Sequence, residues 1–373
     1  WSRSYPNGES VKSVIGTVTS EKQGLPSDQI NKLLAEGYSR NDSVGSSYIE
    51  SQYENALKGT KEVINVQTQN NEIIKEVKQY GGSPGDNLQL TINAEFQNQV
   101  QKIVEDNVKN AAGSNPYIPG GYAVVMNPKT GGIYALAGVN RDLSTGKVTE
   151  NALGTINQTF VMGSVVKGAM VMGALKDGVI TPTNNTLLEE PIKLAGTAAK
   201  TSWFNKTGAA NMSLTAADAL QVSSNTYMMK LAMLEGGFKY TSGAALNLPT
   251  SIFDKLRQNF KQYGLGVKTG IDIPGEASGF EGAADQSHIG NALDLSFGNY
   301  DAYTPIQLAQ YASTIANGGY RLQPHILKSI RKTNKDGSLG PVKYEMQPNV
   351  LNVVDGTKDQ WDVVKTGLWR VVH

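Results

Sequence analysis

Within the apolar run FVMGSVVKGAM, Phe160 to Met170, Ser164 stands three residues ahead of Lys167. A serine hydroxyl is a poor nucleophile at neutral pH and needs a base within hydrogen-bond reach. Residues three apart on a helix share a face, so Lys167 can meet Ser164. A lysine serves as base only after losing its proton, and burial among apolar neighbours lowers its pKa in that direction. Val165, Val166, Ala169 and Met170 supply such neighbours. With Ser164 in a first helical turn, its own backbone N–H also lies where a developing oxyanion is favoured. The chemistry open to this pair is acyl transfer through a serine ester. The bland alternative is a serine that caps a helix carrying an unrelated lysine, and on these residues alone both readings stand.

Ser223, Ser224 and Asn225 form a second group. A Ser-x-Asn tripeptide between two predicted helices can turn a hydroxyl and a carboxamide into one cleft; elsewhere it is an ordinary turn. Lys-Thr-Gly, the third element that accompanies S-x-x-K and Ser-x-Asn in serine acyl-transfer sites, occurs at Lys129, Lys206, Lys268 and Lys365. The first falls in a hairpin loop, the second in a polar stretch before Ser223, the third in an extended segment near Pro274, and the fourth in the helix-like run DVVKTGLWRVVH. None reads as an edge strand, so all four read as coincidental. His288, His325 and His373 lack ligand spacing, which removes both a metal site and a histidine triad, and no cofactor is implied. Met170, Met172, Met228 and Met229 read as core filler.

The elements that must position these groups follow from periodicity. SVVKGAMVMGALKDG, from Ser164, is apolar nearly all round, the pattern of a buried helix, and Asp177 with Gly178 ends it. Further helices are predicted over Thr215 to Val222, with Thr215 and Asp218 spaced as a capping box, over Thr226 to Glu235, and over Pro305 to Ala316. Tyr122 to Met126 and Ile133 to Ala137 read as a hairpin joined by NPKTGG. Leu88 to Ile92 reads as a strand, and Asn93 as the N-cap of a helix burying Phe96, Val100, Ile103, Val104 and Val108. Earlier come a strand-like run at Val14 to Val18, a helix from Ser27 to Glu36 stopped by Gly37, and a hairpin of Val63 to Thr68 with Glu72 to Val77 across Asn70 and Asn71. Gly81 to Gly85 is the clearest punctuation and predicts two domains, 1–85 and 86–373.

Two domains also suit a chain of 373 residues. The balance of 34 basic and 33 acidic residues, net +1, gives no electrostatic footprint for nucleic acid. The absence of cysteine excludes a thiolate nucleophile and a disulfide framework. No run of about 18 apolar residues occurs to span a bilayer, and since the chain begins with Trp1, a leader or anchor ahead of it stays open.

In order along the chain, these segments resemble the class B penicillin-binding proteins, monofunctional peptidoglycan D,D-transpeptidases. Arg3, Tyr5 and Pro6, GYSRNDSVG (Gly37 to Gly45), Glu50, Tyr53, Leu57 and Gly59 are similar to the family's pedestal. LQLTIN, VVMNPKTGGIYALAG, MGSVVKGAM, SSNTY, TGIDIPGE, YTPIQLAQY and ANGG resemble its catalytic domain. Departures are Met162 for a usual Pro, Tyr48 for a frequent Gly, and Asn93 and Asn127 for common Asp residues.

The resemblance implies an α/β fold. A β-rich N-terminal pedestal would precede a β-lactamase-like transpeptidase domain, an antiparallel sheet packed with helices. The last strands, with the Lys-Thr-Gly strand, are expected to follow His373. It also implies the roles. Ser164 attacks the penultimate D-Ala carbonyl of a stem peptide, Lys167 is the general base, Ser223 relays a proton, and Asn225 holds the donor amide. Ser164, Ser223, Ser224 and Asn225 bind substrate. Implied partners are peptidoglycan stem peptides, β-lactam antibiotics and membrane proteins of wall synthesis, elongation or division. The implied location is the extracytoplasmic face of a bacterial membrane, held by an N-terminal membrane helix absent from this chain. The alternatives are a D,D-carboxypeptidase, in which water resolves the ester, and a non-enzymatic wall scaffold that binds β-lactams. A class A β-lactamase is disfavoured, because no Glu-x-x-Leu-Asn follows Asn225.

Overall fold

Strands Gly120–Met126 and Ile133–Arg141 form the hairpin expected around NPKTGG, with Ala123 opposite Ala137, and Val148–Glu150 adds a third strand. The computed structural model describes residues 4–70 and 72–373; Trp1, Arg3 and Asn71 lie outside the described residues. Asn93 accepts from the Phe96 N–H at 3.0 Å and so starts the helix Ala94–Ser114.

The buried face of that helix is only partly the apolar one expected: Val100, Val104 and Val108 lie on it, half-buried or buried, but Phe96 and Ile103 do not. Gln97, Gln101 and Val108 are buried, while Phe96 and Ile103 are exposed. The reason is backbone accounting. The Gln97 amide donates to Leu136 O at 2.6 Å and accepts from Leu136 N at 2.8 Å. Gln101 does the same for Gly138, at 2.9 and 3.0 Å. A hydrophobic side chain at either place would leave strand groups buried without partners.

A second sheet orders Leu339–Glu345, Leu327–Thr333 and Asn87–Leu90, all antiparallel. Asp272, inside TGIDIPGE, accepts from Ile326 N at 2.6 Å, Leu327 N at 2.9 Å and the Tyr53 hydroxyl at 2.6 Å. That carboxylate ties the segment to the sheet. Ahead of the hairpin Val63–Gln69 with Glu72–Tyr80 lie four short helices, Glu9–Ile15, Ile30–Ala35, Tyr48–Gln52 and Glu54–Leu57. Val14, expected in a strand, is helical: Val11 and Val14 are buried at helical spacing, Gly16 (φ 90°) ends the helix, and Val18 makes only an isolated bridge to Gly45.

By compactness the chain falls into two units, Trp1–Thr155 with Gly270–Glu276 and Pro324–Pro348, and Ile156–Thr269 with Ala277–Gln323 and Asn349–His373. The second unit is helical and wraps the helix Lys167–Lys176, in which every residue from Lys167 to Leu175 is buried. Helices Ala216–Gln221, Asn225–Glu235, Ser251–Lys261, Pro305–Ala316 and Lys358–Val372 surround it. Their starts are legible: Thr215 with Asp218, Thr304 with Gln307 and Thr357 with Gln360 form capping boxes, and Pro305 opens its helix. Met170, Met172, Met228 and Met229 sit in the core. Among the described residues, no helix is long and apolar enough to cross a membrane.

Candidate active site

Ser164 does not cap a helix. It lies in a 3-10 turn, Gly163–Val166, that runs into the helix Lys167–Lys176, and it is exposed while Lys167 is 2% exposed. Three contacts hold this turn. Gly163 (φ 63°) donates to Gly298 O at 2.9 Å, a Cβ on Gly298 would collide with the Gly163 carbonyl oxygen, and the Tyr311 hydroxyl donates to Val165 O at 2.7 Å. The first N–H groups of the turn have no partner within it, which leaves the Ser164 N–H available to an incoming oxygen.

Lys167 Nζ donates to Ser223 O at 2.8 Å, Ser223 Oγ at 3.0 Å and Asn225 Oδ1 at 2.7 Å. The amine is thus aimed at the Ser-x-Asn turn, and the Ser164 hydroxyl is not among its acceptors. Ser164, Lys167 and Ser223 share one cavity of about 620 Å³, walled by Leu220, Tyr311, Ile315, Lys365 and Leu368. Of the apolar neighbours expected for Lys167, Val166, Ala169 and Met170 are buried, whereas Val165 faces solvent. Burial pushes the Lys167 pKa down from 10.5 to about 7, against the opposing pull of the Glu189 carboxylate. The three donated bonds belong to the ammonium, and the lowered pKa brings the loss of one of its protons within reach near neutrality.

Ser223 earns its place through backbone geometry. Its N–H bonds Leu220 O at 3.1 Å and the Ser224 N–H bonds Ala219 O at 2.9 Å, the pair of bonds that ends a helix in a Schellman motif. The residue between must be left-handed, and Ser223 is, at φ 55°. Glycine is the favoured residue there; a serine accepts strain of about 1 kcal/mol and in return presents a hydroxyl to Lys167.

Ser224, expected among the substrate-binding residues, is fully buried. Its hydroxyl accepts from Tyr227 N at 3.0 Å as the N-cap of Asn225–Glu235 and donates to Glu189. Both sides of the hydroxyl are committed, so it is not offered to a ligand.

None of the four Lys-Thr-Gly lysines lies on a strand. Lys129, Lys206 and Lys268 are in turns or loops and Lys365 is helical. Gly367 is small for packing: a Cβ there would lie 2.6 Å from Leu220 Cδ1. Lys365 nevertheless lines the cavity, which spacing did not reveal. Glu189, Ser202 and Tyr311 also went unmarked, and their partners stand 13 to 146 residues away, beyond any local pattern.

The penicillin-binding protein transpeptidase domain matches residues 121–373 and the penicillin-binding protein dimerisation domain matches residues 1–90. The chain belongs to the penicillin-binding protein transpeptidase family. Penicillin-binding protein 2A of Bacillus subtilis is 40% identical over 377 residues, covering all of this chain and 52% of its own length. Penicillin-binding protein 2B of Streptococcus pneumoniae is 38% identical over 371 residues, covering 98% of this chain and 54% of its own. A solved structure of the latter matches with TM-score 0.90 at 37% identity, over 98% of this chain and 61% of that one. The chain spans about half the length of the curated relatives it matches.

Proposed function

We propose that the protein is a peptidoglycan D,D-transpeptidase working through an acyl-enzyme on Ser164. The observation that carries this reading is Lys167, an amine buried to 2% exposure with its pKa lowered to about 7, opening into the same cavity as an exposed serine three residues away. Lys167 takes the Ser164 hydroxyl proton as Oγ bonds the penultimate D-Ala carbonyl carbon of the donor stem. The Ser164 N–H supports the oxyanion. Collapse breaks the peptide bond, and terminal D-Ala leaves with the proton delivered through Ser223, the hydroxyl already bonded to Lys167. An acceptor amine then attacks the ester, gives up its proton along the same route, and restores the Ser164 hydroxyl. Asn225 holds the donor amide. A β-lactam acylates the same oxygen by ring opening, so no fragment departs.

With this reading go a pedestal over 1–85 and a transpeptidase domain over 86–373, supported by the ranges of the two family matches. The substrates are stem peptides, the inhibitors β-lactams, and the partners membrane proteins of wall elongation or division at the extracytoplasmic face of a bacterial membrane. Intact-mass measurement of the whole protein after incubation with penicillin tests the reading. One adduct is expected, absent in Ser164→Ala; an adduct retained in that variant removes Ser164 as nucleophile.

A further inference from the structure

Glu189 has no part in the steps above, yet it is a buried carboxylate beside them with four hydrogen-bond contacts. It is fully buried and, among the described residues, forms no ion pair. Its Oε2 accepts from Ser224 Oγ, from Thr226 Oγ1 at 2.6 Å and from Ser202 Oγ at 3.2 Å, and its Oε1 lies 3.5 Å from Asn205 Nδ2. A buried carboxylate persists only where donors are fixed around it. Here two of those donors, Ser224 and Thr226, flank Asn225 in sequence. A third, Ser202, accepts the Asn225 N–H at 3.0 Å and the Thr226 N–H at 3.2 Å. One carboxylate thereby pins both sides of the segment that presents Ser223 and Asn225 to Lys167.

We infer that Glu189 is a positioning residue for the acylation of Ser164: through Ser224, Thr226 and Ser202 it locks the Ser223 to Thr226 turn onto Lys167. The inference rests on the acyl-enzyme reading above. The groups around Lys167 are Ser164 on its own turn, Ser223 and Asn225 on the next, Tyr311 and the cationic Lys365 across the shared cavity, and, bonded to Ser224 and Thr226 of the turn that Lys167 contacts, Glu189, whose charge reaches the amine. Of these, Glu189 alone is anionic. Its charge holds the proton on Lys167 while burial drives it off, so a neutral residue at 189 lets the amine deprotonate at lower pH.

The test is the second-order rate constant for acylation of the whole protein by penicillin, followed across pH for wild type, Glu189→Gln and Glu189→Asp, with Ser164→Ala as control. Glu189→Gln is expected to move the midpoint of the rising limb down by about one pH unit and to lower the plateau about tenfold or more, as a misplaced turn would. Glu189→Asp keeps the charge and is expected to keep the midpoint while losing plateau rate. A folded Glu189→Gln with unchanged midpoint and plateau overturns the inference. Should Glu189→Gln fail to fold, Ser224→Ala and Thr226→Val each remove one donor and keep the charge. Both are then expected to lower the plateau at an unchanged midpoint, and unchanged plateaus in both overturn the inference. Wild type that takes no adduct, or Ser164→Ala that does, defeats the underlying reading instead.

Discussion

The Ser223 hydroxyl lies 3.0 Å from the side-chain nitrogen of Lys167, and a left-handed backbone, φ 55°, puts it there. Strain and the proposed proton relay thus fall on the same residue.

Replacing Ser223 by glycine should separate them. Ser223→Gly relieves the left-handed strain, about 1 kcal/mol, while deleting the hydroxyl proposed as relay. We expect a thermal midpoint no lower than wild type together with a loss of penicillin acylation of about a hundredfold. A lowered midpoint would show that the Lys167 contact outweighs the strain.

Acylation should depend on pH through Lys167. Its pKa is depressed to about 7 in the folded chain, so the rate is expected to rise with pH through that value and to fall about tenfold for each unit below it. Stopped-flow acylation across pH reads this directly. Stability carries the same signature. Between about 7 and the ordinary 10.5 the unfolded chain holds a proton that the folded chain has lost, so this group's contribution to stability increases with pH across that window.

Arginine cannot stand in for the lysine. Lys167→Arg keeps a cation but offers no accessible neutral form, and acylation should drop by about 10² to 10⁴. Near wild-type rates in that variant would exclude Lys167 as the base.

Gln97→Leu tests the glutamine struts of the first unit. A hydrophobic count would call the change favourable for a buried position. Because it strands the buried N–H and C=O of Leu136, we expect a loss of about 2 to 4 kcal/mol in denaturant titration.

Gly367→Val should wedge apart two helices of the second unit. Leu220 Cδ1 and Ala217 Cα stand 2.6 and 3.2 Å from the position of an added Cβ, so a cost of about 1 to 3 kcal/mol is expected from the same titration.

What could be read in advance was local. Capping at Thr215, the proline start at Pro305 and the strand pair around NPKTGG are fixed by residues within a few positions of one another, and their boundaries came out nearly as expected. Ser164, Lys167, Ser223 and Asn225 could be picked out for the same reason, as short motifs, and the fold brings Lys167 onto Ser223 and Asn225 and into one cavity with Ser164. Two kinds of information were not. Gln97 and Gln101 are buried because of unpaired strand groups on Leu136 and Gly138, so counting apolar residues found Val100, Val104 and Val108 on that face but missed the two glutamines and wrongly added Phe96 and Ile103. Glu189 and Ser202 approach the site only through tertiary folding, and nothing near LLEEP or TSWF in the chain points to Ser224. The direction of the lysine was equally hidden, since spacing put it beside Ser164 and its acceptors turned out to lie 56 and 58 residues onward.

The Schellman stop at Ser223 also sets what sequence drift can do here. One residue inserted in or deleted from Ala216–Gln221 would swing the following hydroxyl by about 100° around the helix axis, away from its amine, though no catalytic letter had changed. Outward-facing substitutions along those six positions should pass unnoticed, whereas a single-codon indel among them should abolish penicillin acylation as completely as losing the proposed nucleophile.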